Sequence, residues 1–312
     1  MGVSLITTVK DEETTIMEFL KSISDQTKSP DEIVIVDGGS SDHTVELIES
    51  FPKLRVTVIQ EKSNIAKGRN IAIRSSRNEI IAVTDAGCRL RKDWLERITK
   101  FHADTDVVAG NYKPILNSIF DACQYSIMNL YKSDKTLDTF VISSRSLAFK
   151  KKVWEDVGGY PEWLNFSEDT YFHDKIKRGH HKIRFERDAI VEWSQRRRLR
   201  EIFRQFFLYM EGDGMARMHT IRHLTRFSTY IGAVALVALS VANAYYLIPL
   251  ALGFLIYLSV PCYNFIKLRK YSLAGRSLFI IAFLLVFSDV AKMTGYLSGL
   301  MKGGIKRSWL LE

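Results

Sequence analysis

Two short apolar runs that each close on an acidic residue and then glycine constrain this chain most: "IVIVDGG" at 33–39 and "IIAVTDAG" at 80–87. Four apolar residues in a row, without alternation, read as strands buried on both faces. Around them lie "GVSLITTV" and "RVTVIQ" as further strands. Helix patterns fall between: "ETTIMEFLKSISDQ", with Ile16, Phe19, Leu20 and Ile23 at helical spacing, then "SDHTVELIESF", "IAKGRNIAIRSS" and "RKDWLERITKF". This βαβα order predicts an α/β nucleotide-type domain, a mostly parallel sheet with helices on both faces. After "DVVAGNY" the rhythm loosens. "TFVISSRSLAFKKKVWEDVGGYPEW" reads as a strand, a short helix and a glycine turn, "SEDTYFHDKIKRG" as a helix with a glycine stop, and "KIRFERDAIVEW" as a late strand.

The two ends of the 312-residue chain differ in chemistry. Charge is dense up to about residue 226, whereas from Ser228 to about Leu300 it nearly disappears. The net charge of +9 suits a nucleic acid, a membrane surface or an anionic substrate. No nucleic-acid-binding signature accompanies it, so the apolar tail and a phosphorylated ligand are the expected partners. Cys88, Cys123 and Cys262 are widely spaced and form no CxxC, which suggests reduced thiols and neither zinc nor a disulfide framework. "MGVSLITTVKDEE" lacks a basic n-region and reads as a first strand, not a leader.

Residues 199–227 carry aromatic and basic side chains at helical spacing and are expected to form amphipathic helices at a bilayer interface. Residues 229–267 are almost continuously apolar. As one helix they would run roughly 57 Å, against a hydrocarbon core of about 30 Å. They are therefore read as a hairpin of two spans, 229–246 and 248–266, turning near "NAYY", with a third span at 277–300. In that third segment Asp289 and Lys292 lie one helical turn apart and either neutralise each other or face a cavity. Arg222 and Arg226 precede the hairpin and Lys267, Arg269 and Lys270 follow it, so the positive-inside tendency places the soluble domain, residues 1–198, in the cytoplasm of a multi-pass membrane protein.

Three acidic positions can carry chemistry. Asp37, at a strand end before glycines and a helix start, can accept hydrogen bonds from a base or ribose, or simply close a turn. Asp85 can bind a hard cation that bridges diphosphate oxygens, or cap the helix that begins near Arg91. Glu168 and Asp169 open a helix, where acidic residues are favoured electrostatically. Side by side they also raise each other's pKa, which suits a base that takes a proton from an attacking hydroxyl.

Taken together, these motifs resemble family 2 glycosyltransferases of the GT-A fold over about residues 1–225, as in membrane-bound mannosyltransferases that build lipid-linked glycans. "TTVKDEETTIMEFLKSISDQTKSPDEIVIVDGGSSDHT" is similar to the family's opening, which implies a nucleotide held near Thr8, by Asp11 or Glu12, and by Asp37. "NIAKGRNIAI" resembles the segment near the donor diphosphate and makes Lys67, Arg69 and Asn70 candidates. Asp85, followed by Ala86, stands at the first Asp of the family's Asp-x-Asp metal motif, and Gly87 replaces the second. The resemblance implies a divalent cation, Mn2+ or Mg2+, with Asp85 as a ligand. "GGYPEWLNFSED" resembles the acceptor-side segment, with Asp169 as base beside Glu168. "QRRRL" at 195–199 is similar to the Gln-x-x-Arg-Trp motif of cellulose-synthase-like relatives. Gln195, Arg196, Arg197 and Arg198 are then candidates for a diphosphate or lipid phosphate. Leu199 in place of tryptophan argues for one sugar per encounter. The implied function is inverting transfer of one sugar, best matched to mannose from GDP-mannose, to a dolichol- or polyprenyl-linked acceptor. A polyprenyl-phosphate sugar synthase, a nucleotidyltransferase and a non-catalytic membrane scaffold are the alternatives.

Overall fold

The computed structural model describes residues 2–128 and 142–308 and divides into two compact units. Within the described residues, 2–115 with 142–194 form the first unit, and 116–128 with 195–308 form the second. The boundary expected at 198 compares with one after Ser194, and the stretch after Ile115 also belongs to the second unit.

The first unit is built on eight strands: β1 (Val3–Val9), β2 (Glu32–Asp37), β3 (Thr57–Gln60), β4 (Ile80–Val83), β5 (Cys88–Leu90), β6 (Val107–Ile115), β7 (Leu147–Lys150) and β8 (Ile183–Ser194). They run in the order β3-β2-β1-β4-β7-β6-β8-β5. From β3 to β4 every pairing is parallel, as the βαβα order requires. Beyond β4 the sheet is mixed. β7 is antiparallel to β4 and β6, β8 is parallel to β6, and β5 is antiparallel to β8. The mostly parallel expectation therefore holds for one half only. The apolar runs are the core: Ile33, Val34, Ile35 and Val36 of β2 and Ile80 to Val83 of β4 are all buried.

Helices α1 (Ile16–Ser24), α2 (Thr44–Glu49), α3 (Ile65–Ser75) and α4 (Trp94–Thr99) connect the parallel half and its edge. α1 buries Ile16, Phe19, Leu20 and Ile23, the stripe its spacing predicts. Parallel pairing matters for function because it brings the carboxyl ends of β1, β2 and β4 to one edge. Val9 lies opposite Asp37, and Ile6 lies opposite Val83, two residues before Asp85. Ligands of open α/β sheets bind at that edge.

The second unit is helical: α5 (Ile119–Ile127), α8 (Leu199–Ala216), α9 (Thr220–Ser240), α10 (Leu247–Lys267) and α11 (Gly275–Ser308), with α6 (Lys151–Asp156) and α7 (Glu168–Arg178) belonging to the first unit. Ala122, Cys123, Ile202, Phe206, Phe265 and Leu284 form part of its core. α8 is not a surface helix. It lies against α11 so closely that a Cβ at Gly295 or Gly299 would sit 2.2 or 2.1 Å from a backbone oxygen of α8. Small residues four apart permit this approach. The expected interfacial stretch 199–227 thus resolves into this packed helix and the first turns of α9, joined through Arg217 and His219, both at positive φ.

The turn at "NAYY" is where it was expected: α9 ends at Ser240, and Asn243 caps a short 3-10 turn, Ala244–Tyr246, by accepting a hydrogen bond from the Tyr245 N–H. Among the described residues two helices are long and apolar enough to cross a membrane, Ala244–Lys267 and Gly275–Gly303. The 229–246 span is not among them, because α9 carries Arg222, His223 and Arg226 in its first half and ends before the turn. Asp289 and Lys292 pair at 2.9 Å, with Arg226 3.3 Å from the same carboxylate oxygen and the Tyr257 hydroxyl donating to the other. Mutual neutralisation, not a cavity, explains that pair.

Candidate active site

The loop after β2 is the first element of the edge. Asp37 is buried, and its carboxylate accepts from the Gly39 N–H, the Ser40 N–H and the Ser40 hydroxyl at 3.1, 3.1 and 2.5 Å. Gly39 has φ +96°, a conformation that side chains resist. Asp37 therefore organises its own loop. Asp11 does similar work between loops, accepting from the Ser41 N–H and hydroxyl at 2.8 and 3.1 Å. Glu12 accepts from the Thr15 hydroxyl at 2.5 Å and its N–H donates to Thr44. Thr8 lies at the end of β1 under Gly68 of α3, where a Cβ would come 2.8 Å from the Thr8 methyl.

α3 supplies the next group. Its buried stripe is Ala66, Arg69, Asn70 and Ile73, so two polar side chains occupy positions that helical spacing gives to the core. Asn70 is saturated. Its amide donates to the Tyr160 carbonyl and Glu162, both at 2.9 Å, and its oxygen accepts from Trp154 Nε1 and the Tyr160 N–H at the same distance. All four bonding positions are used, so Asn70 holds the "GGYPEW" loop and is unavailable to a donor. Lys67 is partly exposed and pairs with Glu61 at 2.8 Å.

Arg69 is the centre of the site. Its side chain is 3% exposed, with Nη2 2.7 Å from Asp85 Oδ1 and Nη1 2.7 Å from Glu168 Oε1. Its guanidinium also lies 5.3 Å from the centre of the Tyr160 ring, which stacks on Phe172 at 4.0 Å. One planar fork thus joins the strand-end carboxylate to the helix that begins "ED". Asp85 does not cap a helix, since α4 starts at Trp94, after β5. Ala86 beside it is buried.

Glu168 and Asp169 open α7 immediately after Ser167, whose φ of 59° is uncommon outside glycine and marks a constrained turn. Their environments diverge. Burial, then the charge of Asp169, pushes the Glu168 carboxyl up to about 7 against the pull of Arg69. Burial also works against the charge of Asp169, but His173, Arg69 and Arg145 outweigh it and hold that carboxyl below the usual range. Such splitting of neighbouring carboxyls separates their roles. Asp169 Oδ1 accepts from the Thr170 N–H at 2.7 Å, and Oδ2 carries no hydrogen bond among the described residues. Asp169 is also partly exposed whereas Glu168 is buried. It is the ionised, accessible member of the pair.

A raised carboxyl makes a definite stability prediction. Protonated Glu168 favours the folded state, so its contribution is complete below 4.5 and is lost as pH rises through about 7. Glu168→Gln should therefore shrink the difference between urea midpoints measured at pH 5 and pH 8. An unchanged difference would show that Glu168 does not titrate in this window.

Sequence reasoning missed Arg145. It lies ahead of β7 with Nε 3.6 Å from Asp85 Oδ2, and its guanidinium is 5.1 Å from the centre of the Trp193 ring and 5.9 Å from that of Tyr112. The only signal is a lone arginine in the small polar run "SSRS". Also missed is His173, buried one turn after Asp169, with Nε2 3.4 Å from the Ser144 hydroxyl. Burial lowers its pKa to about 4, so the imidazole is neutral.

The donor set at Asp85 does not fit a protein-held cation. One carboxylate oxygen binds Arg69 and the other faces Arg145, while Gly87 brings no ligand. Among the described residues no cluster of three His, Cys, Asp or Glu side chains could hold a metal.

In the second unit, Gln195 donates to the Asp121 carbonyl at 2.7 Å and Arg197 lies 3.4 Å from the Asp121 carboxylate, so both fasten the start of α5. Arg196 and Arg198 are exposed.

Comparison with known proteins agrees with this geometry. The family model described as Glycosyl transferase family 2 matches residues 4–151. Glycosyltransferase AglE of Haloferax volcanii is 29% identical over 198 residues, covering 60% of this chain and 65% of that protein. O-antigen chain rhamnosyltransferase RfbN of Salmonella typhimurium is 25% identical over 203 residues, with coverages of 60% and 65%. The match thus spans just under two thirds of both relatives. Among solved structures, mannosyltransferase PcManGT from Pyrobaculum calidifontis in complex with GDP-Man and Mn2+ superposes with a TM-score of 0.65 over 93% of this chain and 86% of that one, at 20% identity. S. aureus TarS 1-349 in complex with UDP-GlcNAc gives 0.53 over 97% and 92%, at 15% identity. At such identities the superpositions speak for the fold. Over residues 4–151 the chain is thus similar to a glycosyl transferase family 2 domain, on a GT-A-like mixed α/β sheet.

Proposed function

We propose that this chain is an inverting glycosyltransferase that moves one sugar from a nucleotide donor to the hydroxyl of a membrane-embedded, lipid-linked acceptor. The observation that carries the reading is the Arg69 fork, which ties Asp85 at the strand edge to the helix start that presents the ionised Asp169. The donor lies along the carboxyl edge of β1, β2 and β4. The acceptor hydroxyl gives its proton to Asp169 Oδ2, its oxygen bonds to the anomeric carbon from the far side, and the bond from that carbon to the diphosphate oxygen breaks with its electron pair. Mannose from GDP-mannose is the donor best supported, because the Pyrobaculum structure holds GDP-Man. That structure also holds Mn2+.

The lipid acceptor rests on the two apolar helices and on their side chains, with Leu255, Ile256, Phe279 and Met301 exposed. Buried apolar surface in a bilayer is the natural environment for such faces. The basic residues flanking the apolar run favour a cytoplasmic catalytic unit.

The test is thermal melting of the detergent-purified full chain against GDP, UDP, GDP-mannose and UDP-glucose. A ligand that binds only the folded state raises the melting temperature by mass action. GDP and GDP-mannose should raise it and UDP and UDP-glucose should not. A response to none of the four would sink the transferase reading, and one confined to the uridine pair would replace mannose.

A further inference from the structure

The disagreement between the Asp85 environment and a metal site has a consequence for how the leaving group is neutralised. Breaking the sugar–phosphate bond leaves an extra negative charge on a nucleoside diphosphate, and some cation must meet it. In the family this chain resembles, the second Asp of Asp-x-Asp helps to hold a divalent ion for that purpose. Here Gly87 occupies the position, and it is not there for want of room: a Cβ on Gly87 would meet nothing within 4 Å. The position tolerates a side chain and has none. Meanwhile Asp85 carries a guanidinium on each oxygen. Arg69 is fixed, buried and bonded at 2.7 Å to two carboxylates. Arg145 is different. Its 3.6 Å approach to Asp85 is an ion contact too long for a hydrogen bond, its side chain is 25% exposed, and two aromatic rings on β6 and β8 hold its guanidinium plane. A divalent ion on Asp85 would have to compete with two guanidinium groups of its own sign.

We propose that this site neutralises the donor diphosphate with Arg145 in place of a resident divalent cation. The inference rests on the transferase reading above and deepens it. Arginine suits the task because its planar fork binds phosphate oxygens in pairs and stays charged at every working pH. Tyr112 and Trp193 lie beside its guanidinium, and Asp85 holds it at the strand edge, where the diphosphate arrives.

The experiment is calorimetric titration of the full chain in detergent with GDP and with UDP, in EDTA and in Mn2+. The wild type should bind one of them in EDTA with a Kd within about threefold of that in Mn2+. Arg145→Gln should weaken that metal-free binding about tenfold or more, and Arg145→Lys should restore part of it. Melting curves of both variants without ligand check that they fold. Gly87→Asp provides an independent arm, since it rebuilds the missing carboxylate where space is open. Its binding should fall in EDTA and recover about tenfold in Mn2+. A wild-type chain that binds at least tenfold tighter in Mn2+ overturns the inference and leaves the transferase reading standing. So does Arg145→Gln binding as well as wild type in EDTA. Absence of binding by the wild type in either medium overturns both.

Discussion

Replacing Asp169 by asparagine is expected to slow sugar transfer by about 10²–10⁴-fold, the range for loss of a general base, while nucleoside-diphosphate binding stays within about threefold of wild type. The substitution preserves shape and keeps an oxygen to accept from the Thr170 N–H, so α7 should still start where it does. It removes the group that receives the acceptor's proton. Asp169 is held below the usual carboxyl range, so the wild type keeps its base ionised from pH 5 upward. Any inflection in rate near pH 7 therefore belongs to Glu168, whose carboxyl is pushed up to about 7. The two carboxyls separate in a pH–rate profile. Asp169→Asn should lower the whole curve, and Glu168→Gln should remove the inflection. If Asp169→Asn retained more than a tenth of the wild-type rate, the acceptor would need no strong base. That is the behaviour of a phosphate acceptor, and the reading would shift to a polyprenyl-phosphate sugar synthase.

What could be read from the chain without its structure follows from the range of the interactions concerned. The parallel half of the sheet announces itself because each strand and each helix face is written in four to nine consecutive residues, as in Ile33 to Val36 or Ile16 to Ile23. The mixed half does not, because it depends on pairings such as Ile80 with Lys150 that no local pattern encodes. The same division runs through the site. Asp85 and the Glu168–Asp169 pair stand out at a strand end and a helix start. Asp37 stands out equally, and the donors at Gly39 and Ser40 show that its carboxylate also organises its own loop. Arg69 and Asn70 share a core-facing stripe with Ala66 and Ile73, a readable sign that both are buried and partnered. That Arg69 joins two carboxylates while Asn70 holds a loop is decided by residues 99 and 90 positions away, Glu168 for the first and Tyr160 for the second.

Removing Arg69 should cost more stability than any other change at the site, about 3–5 kcal/mol near pH 8, the penalty for leaving a buried ion pair without one partner. Arg69→Met keeps much of the side-chain volume, so the loss comes from charge and not from a cavity. Glu168, with its side chain 8% exposed, would lose its cation outright, and Asp85, at 30%, would keep only the longer contact with Arg145. Without Arg69, desolvation and the charge of Asp169 raise the Glu168 carboxyl further above its unfolded value. A raised carboxyl stabilises the folded state while protonated and ceases to do so as pH rises through its folded value. The deficit of Arg69→Met should accordingly be smaller at pH 5 than at pH 8, as read from urea midpoints. A packing defect alone would give the same deficit at both. The double variant Arg69→Met/Glu168→Gln should recover part of the loss at pH 8, because it discharges the carboxylate that the first change strands. Equal deficits at the two pH values, with no recovery in the double variant, would mean that Arg69 is held there by its contact with Tyr160 and not by the carboxylates it joins.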